Sequence, residues 1–101
     1  MRQIFFKFKE KFQTNESTKQ ILEETSRVFG LIDPIHKFET LTPADAEAKK
    51  AWDLNLVVYF KSLPDIEDYK IHPEHRQYVD EFLQGKIEVI KAWNFEIETS
   101  S

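Results

Sequence analysis

The chain has 101 residues, 41% of them apolar and 32% charged, a composition that suits one globular domain with a modest core and not a disordered segment. Its formal net charge of −4 disfavours nucleic acid and anionic lipid as partners, because either calls for a basic face. It has no cysteine, which excludes disulfides, a thiolate nucleophile and cysteine-bound metal, and no stretch approaches the about 18 apolar residues of a membrane span.

The opening "MRQIFFKFKEKF" breaks its apolar run with lysines at once, so no signal peptide is expected and the cytoplasm is the expected location. "QIFFKFK" predicts a strand, with Ile4, Phe6 and Phe8 on one face and Phe5, Lys7 and Lys9 on the other. "TNESTKQILEETSRVFG" predicts a helix. Ser17 and Gln20 fit a capping box, Ile21, Leu22, Thr25, Val28 and Phe29 form its stripe, and Gly30 supplies the stop. After Pro34, "IHKFETL" predicts a second strand, and "TPADAEAKKA" reads as a loop with at most one helical turn. "WDLNLVVYFK" is the strongest strand: Trp52, Leu54, Leu56, Val58 and Phe60 share a face, and Val57 and Tyr59 make the opposite face apolar as well. Ser62, Pro64 and Asp65 open a short helix carrying Ile66 and Tyr69. A second helix starts near Pro73, carries Tyr78, Val79, Phe82 and Leu83, and stops at Gly85. "KIEVIKAWNFEI" predicts the last strand, with Ile87, Val89, Trp93, Phe95 and Ile97 on one face, interrupted by Lys91; residues 98–101 are expected to be a disordered tail.

Strand, helix, strand, strand, helix pair, strand, joined by right-handed crossovers, is most economically an α+β domain with a four-stranded antiparallel sheet and helices on one face. The first and third strands are then central, and they are the two that are apolar on both sides. The helices cover one face only, so the other presents Phe, Val and Tyr side chains to a partner, most simply a second copy of the chain.

"FKFK", "WDLNLVVYFKS", "YKIHPEHRQYVDEFL" and the closing aromatic strand together resemble the stress-responsive dimeric α+β barrel (Dabb) family, over roughly residues 2 to 97. The most specific part is Tyr69-x-x-His72-Pro73-x-His75 followed by a helix. The resemblance implies a ferredoxin-like fold that dimerises into an α+β barrel, with the barrel-facing sheet surface and its loops lining a pocket. It also implies, from a plant polyketide cyclase of the family, that Tyr69 and His75 are a catalytic pair, with His72 beside them. The family often carries a histidine just before the first apolar run; the alignment on "FKFK" puts Arg2 there.

The chemistry of the motif is coherent in itself. Pro73 holds His72 extended and fits the first turn of the next helix. His75 falls in that turn, where positive partial charge disfavours the imidazolium. A neutral imidazole accepts a proton, and Tyr69 donates to a developing oxyanion or a ligand carbonyl. The expected catalytic residues are therefore His75 and Tyr69, with His72, Arg2 and Trp93 as ligand-binding residues, no cofactor, and a small apolar carbonyl-bearing ligand. The competing reading takes "HPEH" as a capped helix start, Tyr69 as core and Trp52 and Trp93 as core or interface. In that reading the protein is a non-enzymatic, stress-responsive or metabolite-binding dimer. A metal is not expected: the proline prevents both histidines from sharing one helix face, and only Asp53 or Glu39 offers a third ligand, through tertiary contact. His36 reads as an exposed or core residue.

Overall fold

The structure is a computed structural model and describes residues 1–98. The expected tail, beyond Glu98, lies outside the described residues. The strands are β1 (Arg2–Phe8), β2 (Lys37–Leu41), β3 (Leu54–Tyr59) and β4 (Ile87–Asn94). The helices are α1 (Asn15–Phe29), α2 (Ala46–Ala51), α3 (Leu63–Ile71) and α4 (Pro73–Gln77), the last continuing as π-helix through Tyr78–Leu83. The sheet is antiparallel throughout, in the order β2-β3-β1-β4, so the two doubly apolar strands are the central ones. Among the described residues no helix is long and apolar enough to cross a membrane.

Period-two alternation decides what each face does. Ile4, Phe6 and Phe8 of β1 and Leu54, Leu56 and Val58 of β3 meet Ile21, Val28, Phe29, Tyr69, Tyr78 and Leu83 from the helices in one core. On the far face, Phe5, Val57 and Tyr59 sit with Leu41, Val89 and Trp93, interleaved with Gln3, Lys7, Asn55 and Lys91. That face is therefore a mixed surface and not the continuous apolar patch expected from β1 and β3 alone.

Local details depart from the sequence pattern in five places. The cap of α1 is Thr14, not Ser17. Thr14 takes an extended conformation and its Oγ accepts from the Ser17 N–H at 3.1 Å, which starts the helix three residues earlier. The segment 46–51 is a full short helix, capped by Asp45, whose Oδ1 accepts from the Ala48 N–H at 2.8 Å. A bulge opposite Lys7 and Phe8 pairs Phe8 with Ile87 but Lys7 with Val89. The extra residue reverses the parity of β4, so Ile87 turns to the helix side while Val89, Lys91 and Trp93 line the far face. The strand ends at Asn94, leaving Phe95 and Ile97 beyond it. Finally the chain bends at Asp53, so Trp52 does not join Leu54; its ring packs on Phe5 of the far face, centroids 5.4 Å apart.

Asp53 itself is fully buried. Its carboxylate accepts from the Phe8 N–H at 2.8 Å and from Lys49 Nζ at 2.6 Å, with Lys7 Nζ at 3.7 Å. It thereby ties α2 to the end of β1. On the helix side Thr25 Oγ donates to the Ile21 carbonyl at 2.6 Å, which uses its one hydrogen, so the Tyr78 hydroxyl must be the donor in the 2.6 Å bond between them. Replacing Asp53 with Ala leaves the buried Phe8 N–H without an acceptor. The expected cost is about 2 kcal/mol, read as a fall in the urea midpoint with an unchanged m-value; a midpoint equal to the parent's contradicts this account of Asp53.

Candidate active site

Pro73 builds the site by ending one helix and beginning another. It lacks an N–H and disfavours the helical region for the residue before it, so His72 is extended (φ −59°, ψ 134°) and serves both as the end of α3 and as the cap of α4. The break folds the last turn of α3 against the first turn of α4. Tyr69 from the former and His75 from the latter meet with ring centroids 4.2 Å apart.

Tyr69 is only 2% exposed, enclosed by Phe29 at 5.9 Å and Phe60 at 5.3 Å between centroids. Burial pushes its phenol up to about 12, against the opposing charge of Arg2. At neutral pH it is a hydrogen-bond donor and not a base. His75 is half-buried, with Nδ1 3.1 Å from the Lys70 carbonyl. A carbonyl oxygen only accepts, so the hydrogen lies on Nδ1, and the neutral ring keeps Nε2 as its acceptor. Burial is the main cause that lowers the His75 pKa; the Arg76 and Arg2 charges add to it, and the Lys70 carbonyl and Asp80 oppose it. The shift thus runs in the direction expected from the helix start, with desolvation as its leading cause.

The third member comes from the other end of the chain. Arg2 begins β1 on the helix side, with the parity of Ile4 and Phe6. Its Nη1 donates to Asn94 Oδ1 at 2.8 Å, and its charge reaches both Tyr69 and His75. Its Nε is buried and has no partner among the described residues. The remaining candidates lie apart. His72 Nδ1 accepts from the Glu74 N–H at 3.1 Å, a capping role. Trp93 is 50% exposed on the far face, edge-on to Phe5 at 6.2 Å. His36 is exposed, its N–H bonded to the Tyr59 carbonyl.

The barrel-facing pocket expected around Tyr69 and His75 is therefore corrected: the pair lies between helices and sheet, while Trp93 stands on the opposite side of the sheet. That opposite side has its own apolar hollow of about 230 Å3, lined by Phe5, Leu41, Pro43, Ala48, Trp52 and Asn55. Sequence reading missed Asn94 as the partner of Arg2. The available signal was the one uncharged polar residue of β4, beside Trp93, but its face depends on the bulge.

Residues 1–97 match the sequence model of the family described as the Stress responsive A/B Barrel Domain. Solved structures of similar fold include the following three. One is a protein of Arabidopsis thaliana at 17% identity, covering 99% of this chain and 96% of that one, with a TM-score of 0.83. The second is a dimeric ferredoxin-like protein of Thermobifida fusca at 16% identity, covering 95% and 88%, with a TM-score of 0.80. The third is the hydroxynitrile lyase of Passiflora edulis at 14% identity, covering 99% and 94%, with a TM-score of 0.80. No curated protein matches the chain.

The lowered pKa of His75 carries a sign for stability. The unfolded chain takes up the imidazole proton near the ordinary value of about 6.5, while the folded chain resists it until lower pH. The contribution is present above that value and is lost as pH falls through the folded pKa. Between pH 7.5 and 5.5 the urea midpoint should fall, and His75→Asn, whose amide can still donate to the Lys70 carbonyl, should reduce that fall. An equal fall in both proteins contradicts the assignment.

Proposed function

We propose a function from one premise: the chain belongs to the stress responsive A/B barrel domain family. The protein is a homodimer in which His75 and Tyr69 perform cofactor-free acid–base chemistry of the cyclase or lyase type. Its ligand is small, largely apolar and bears a carbonyl group. A cysteine-free chain needs no oxidising compartment, and work in the cytoplasm belongs to the same proposal.

The observation that carries the catalytic reading is the Nδ1–Lys70 hydrogen bond. It leaves His75 Nε2 as a base in surroundings that keep the ring neutral, next to a phenol that keeps its proton. Such a pair suits a reaction that moves a proton to or from a group beside a carbonyl. Nε2 takes the proton from a hydroxyl or an α-carbon, and Tyr69, with Arg2 behind it, donates to the oxygen where charge gathers. The fold shared with a hydroxynitrile lyase supports this reaction class. Exposed apolar residues on the far face, Val89 and Trp93 on β4 and Leu41 on β2, with half-buried Phe5 between them, and the fold shared with a dimeric protein, support pairing of two copies through that face.

A second reading has its own support. Tyr69 is packed among rings and His72 caps α4, as in a purely structural helix start. The protein is then a dimer that binds a hydrophobic metabolite without turnover.

Two probes separate the readings: cleavage of mandelonitrile, followed by benzaldehyde absorbance, and deuterium exchange at the α-carbon of phenylacetone. Catalysis by the wild type on at least one is expected, with a loss of about 10²-fold or more in His75→Asn, the scale of a lost general base, and no change of dimer mass. No acceleration by the wild type, or equal rates in both proteins, overturns the catalytic reading. For the dimer, light scattering should give twice the 12.1 kDa chain mass. Trp93→Glu would bury a carboxylate in the interface and should raise the dissociation constant by about 10²-fold or more. A monomeric wild type refutes the pairing.

A further inference from the structure

We propose that the hollow between α2 and the far face of the sheet is a second binding site, which takes a small uncharged molecule built on one aromatic ring. It lies across the sheet from Tyr69 and His75 and within a single chain. It depends neither on their chemistry nor on the pairing of two copies.

The walls define the ligand class. Phe5 and Trp52, with centroids 5.4 Å apart and planes tilted by 43°, form one side, and Leu41, Ala48 and Ala51 border the rest. Its polar members are Thr42 and Asn55, and none of the described residues that line it is charged. An ion moved there from water would lose hydration and meet no counter-charge, so the ligand is neutral. Two rings set at an angle offer a third ring both a face and an edge, the arrangements aromatic groups favour. The size agrees. A dry cavity of about 150 Å3 holds benzene. This hollow has about 230 Å3, room for one ring with a short substituent.

The second observation concerns α2. None of its six residues is buried. A helix that short has little stability of its own and forms in proteins by packing one side. Here Ala48 and Ala51, three apart and so on one side, border the hollow and remain exposed. What holds α2 is polar: the Asp45 cap, the Lys49 Nζ bond to Asp53 at 2.6 Å, and Lys7 Nζ donating to the Lys49 carbonyl at 3.1 Å. The small apolar side of the helix is thus held open beside the sheet, and the packing it lacks is left for a guest to supply. A second copy is the poorer guest. Its far face carries Gln3, Lys7 and Lys91 among the apolar residues, which suits a mixed surface and not a recess without charge.

4-Fluorotoluene and 4-fluorobenzoate test this directly, since they differ by a carboxylate in place of a methyl group. Fluorine NMR titration of the intact protein should show saturable binding of 4-fluorotoluene, at least about 10-fold tighter than 4-fluorobenzoate. Ala48→Phe changes an exposed position, puts a ring into the hollow and should abolish that binding with no fall in the urea midpoint. In Trp93→Phe, where Trp52 is the one remaining tryptophan, 4-fluorotoluene should shift the Trp52 emission, a readout that decides alone if Ala48→Phe lowers the midpoint. No saturable binding by the wild type, equal affinity for the two probes, unchanged affinity in Ala48→Phe or an unmoved Trp52 emission overturns the inference. So does binding by Trp93→Glu without binding by the wild type, because a second copy then fills the hollow.

Discussion

Everything in this molecule depends on the burial of one face of a four-stranded sheet. Six alternate side chains of β1 and β3 are withdrawn from water against the helices, each worth roughly 1.5–3 kcal/mol on burial. That arrangement fixes which way every other residue of those strands must point. It sends Phe5, Val57 and Tyr59 to the far side, and it sends Arg2, the first residue of the same alternation, into the space beneath α3 and α4. The core and the candidate site are thus two ends of one face, and neither exists without the register that pairs Ile4 with Leu56 and Ala92.

A proline turns this scaffold into a site. One continuous helix over residues 63–83 would carry Tyr69 and His75 on a single rod. The interruption at Pro73 sets two short helices at a corner, and His72 bridges them as a cap. The corner brings the two rings within 4.2 Å and fixes the imidazole through a backbone carbonyl that the end of α3 leaves free. The electrostatics follow from the packing. Desolvation acts on the charged form of each residue, so the same enclosure raises the phenol and lowers the imidazole. A phenol that holds its proton more tightly and an imidazole that holds its own less tightly are thereby placed side by side.

The irregular features of the fold are tied to this same purpose of fitting a sheet to its surroundings. The bulge in β4 gives that edge strand apolar residues on both sides, Ile87 toward the helices and Val89 with Trp93 away from them. Buried Asp53 acts at the same end of β1, where it anchors α2 through Lys49 and satisfies Phe8. A carboxylate in so buried a place is tolerable because each oxygen has a partner. The result is a sheet whose far side is framed by α2 and Trp52 at one edge and by Trp93 at the other.

The sequence by itself determined the elements and their order: alternation in β1 and β3, the stripe of α1, and the proline-marked start of α4 are local patterns, written in residues a few positions apart. It also determined the family, because Tyr69, His72, Pro73 and His75 stand within one short segment. Tertiary structure alone decided the rest. Whether Ile87 and Trp93 share a face turned on one extra residue in a ladder. Whether Trp52 joined the core turned on a bend stabilised by an N–H donated from Phe8, 45 residues away. The meeting of Arg2 with Asn94, 92 positions apart, and with Tyr69 and His75 depends on strand register and on the closure of helices over the sheet, and neither is encoded in the residues adjacent to any of the four.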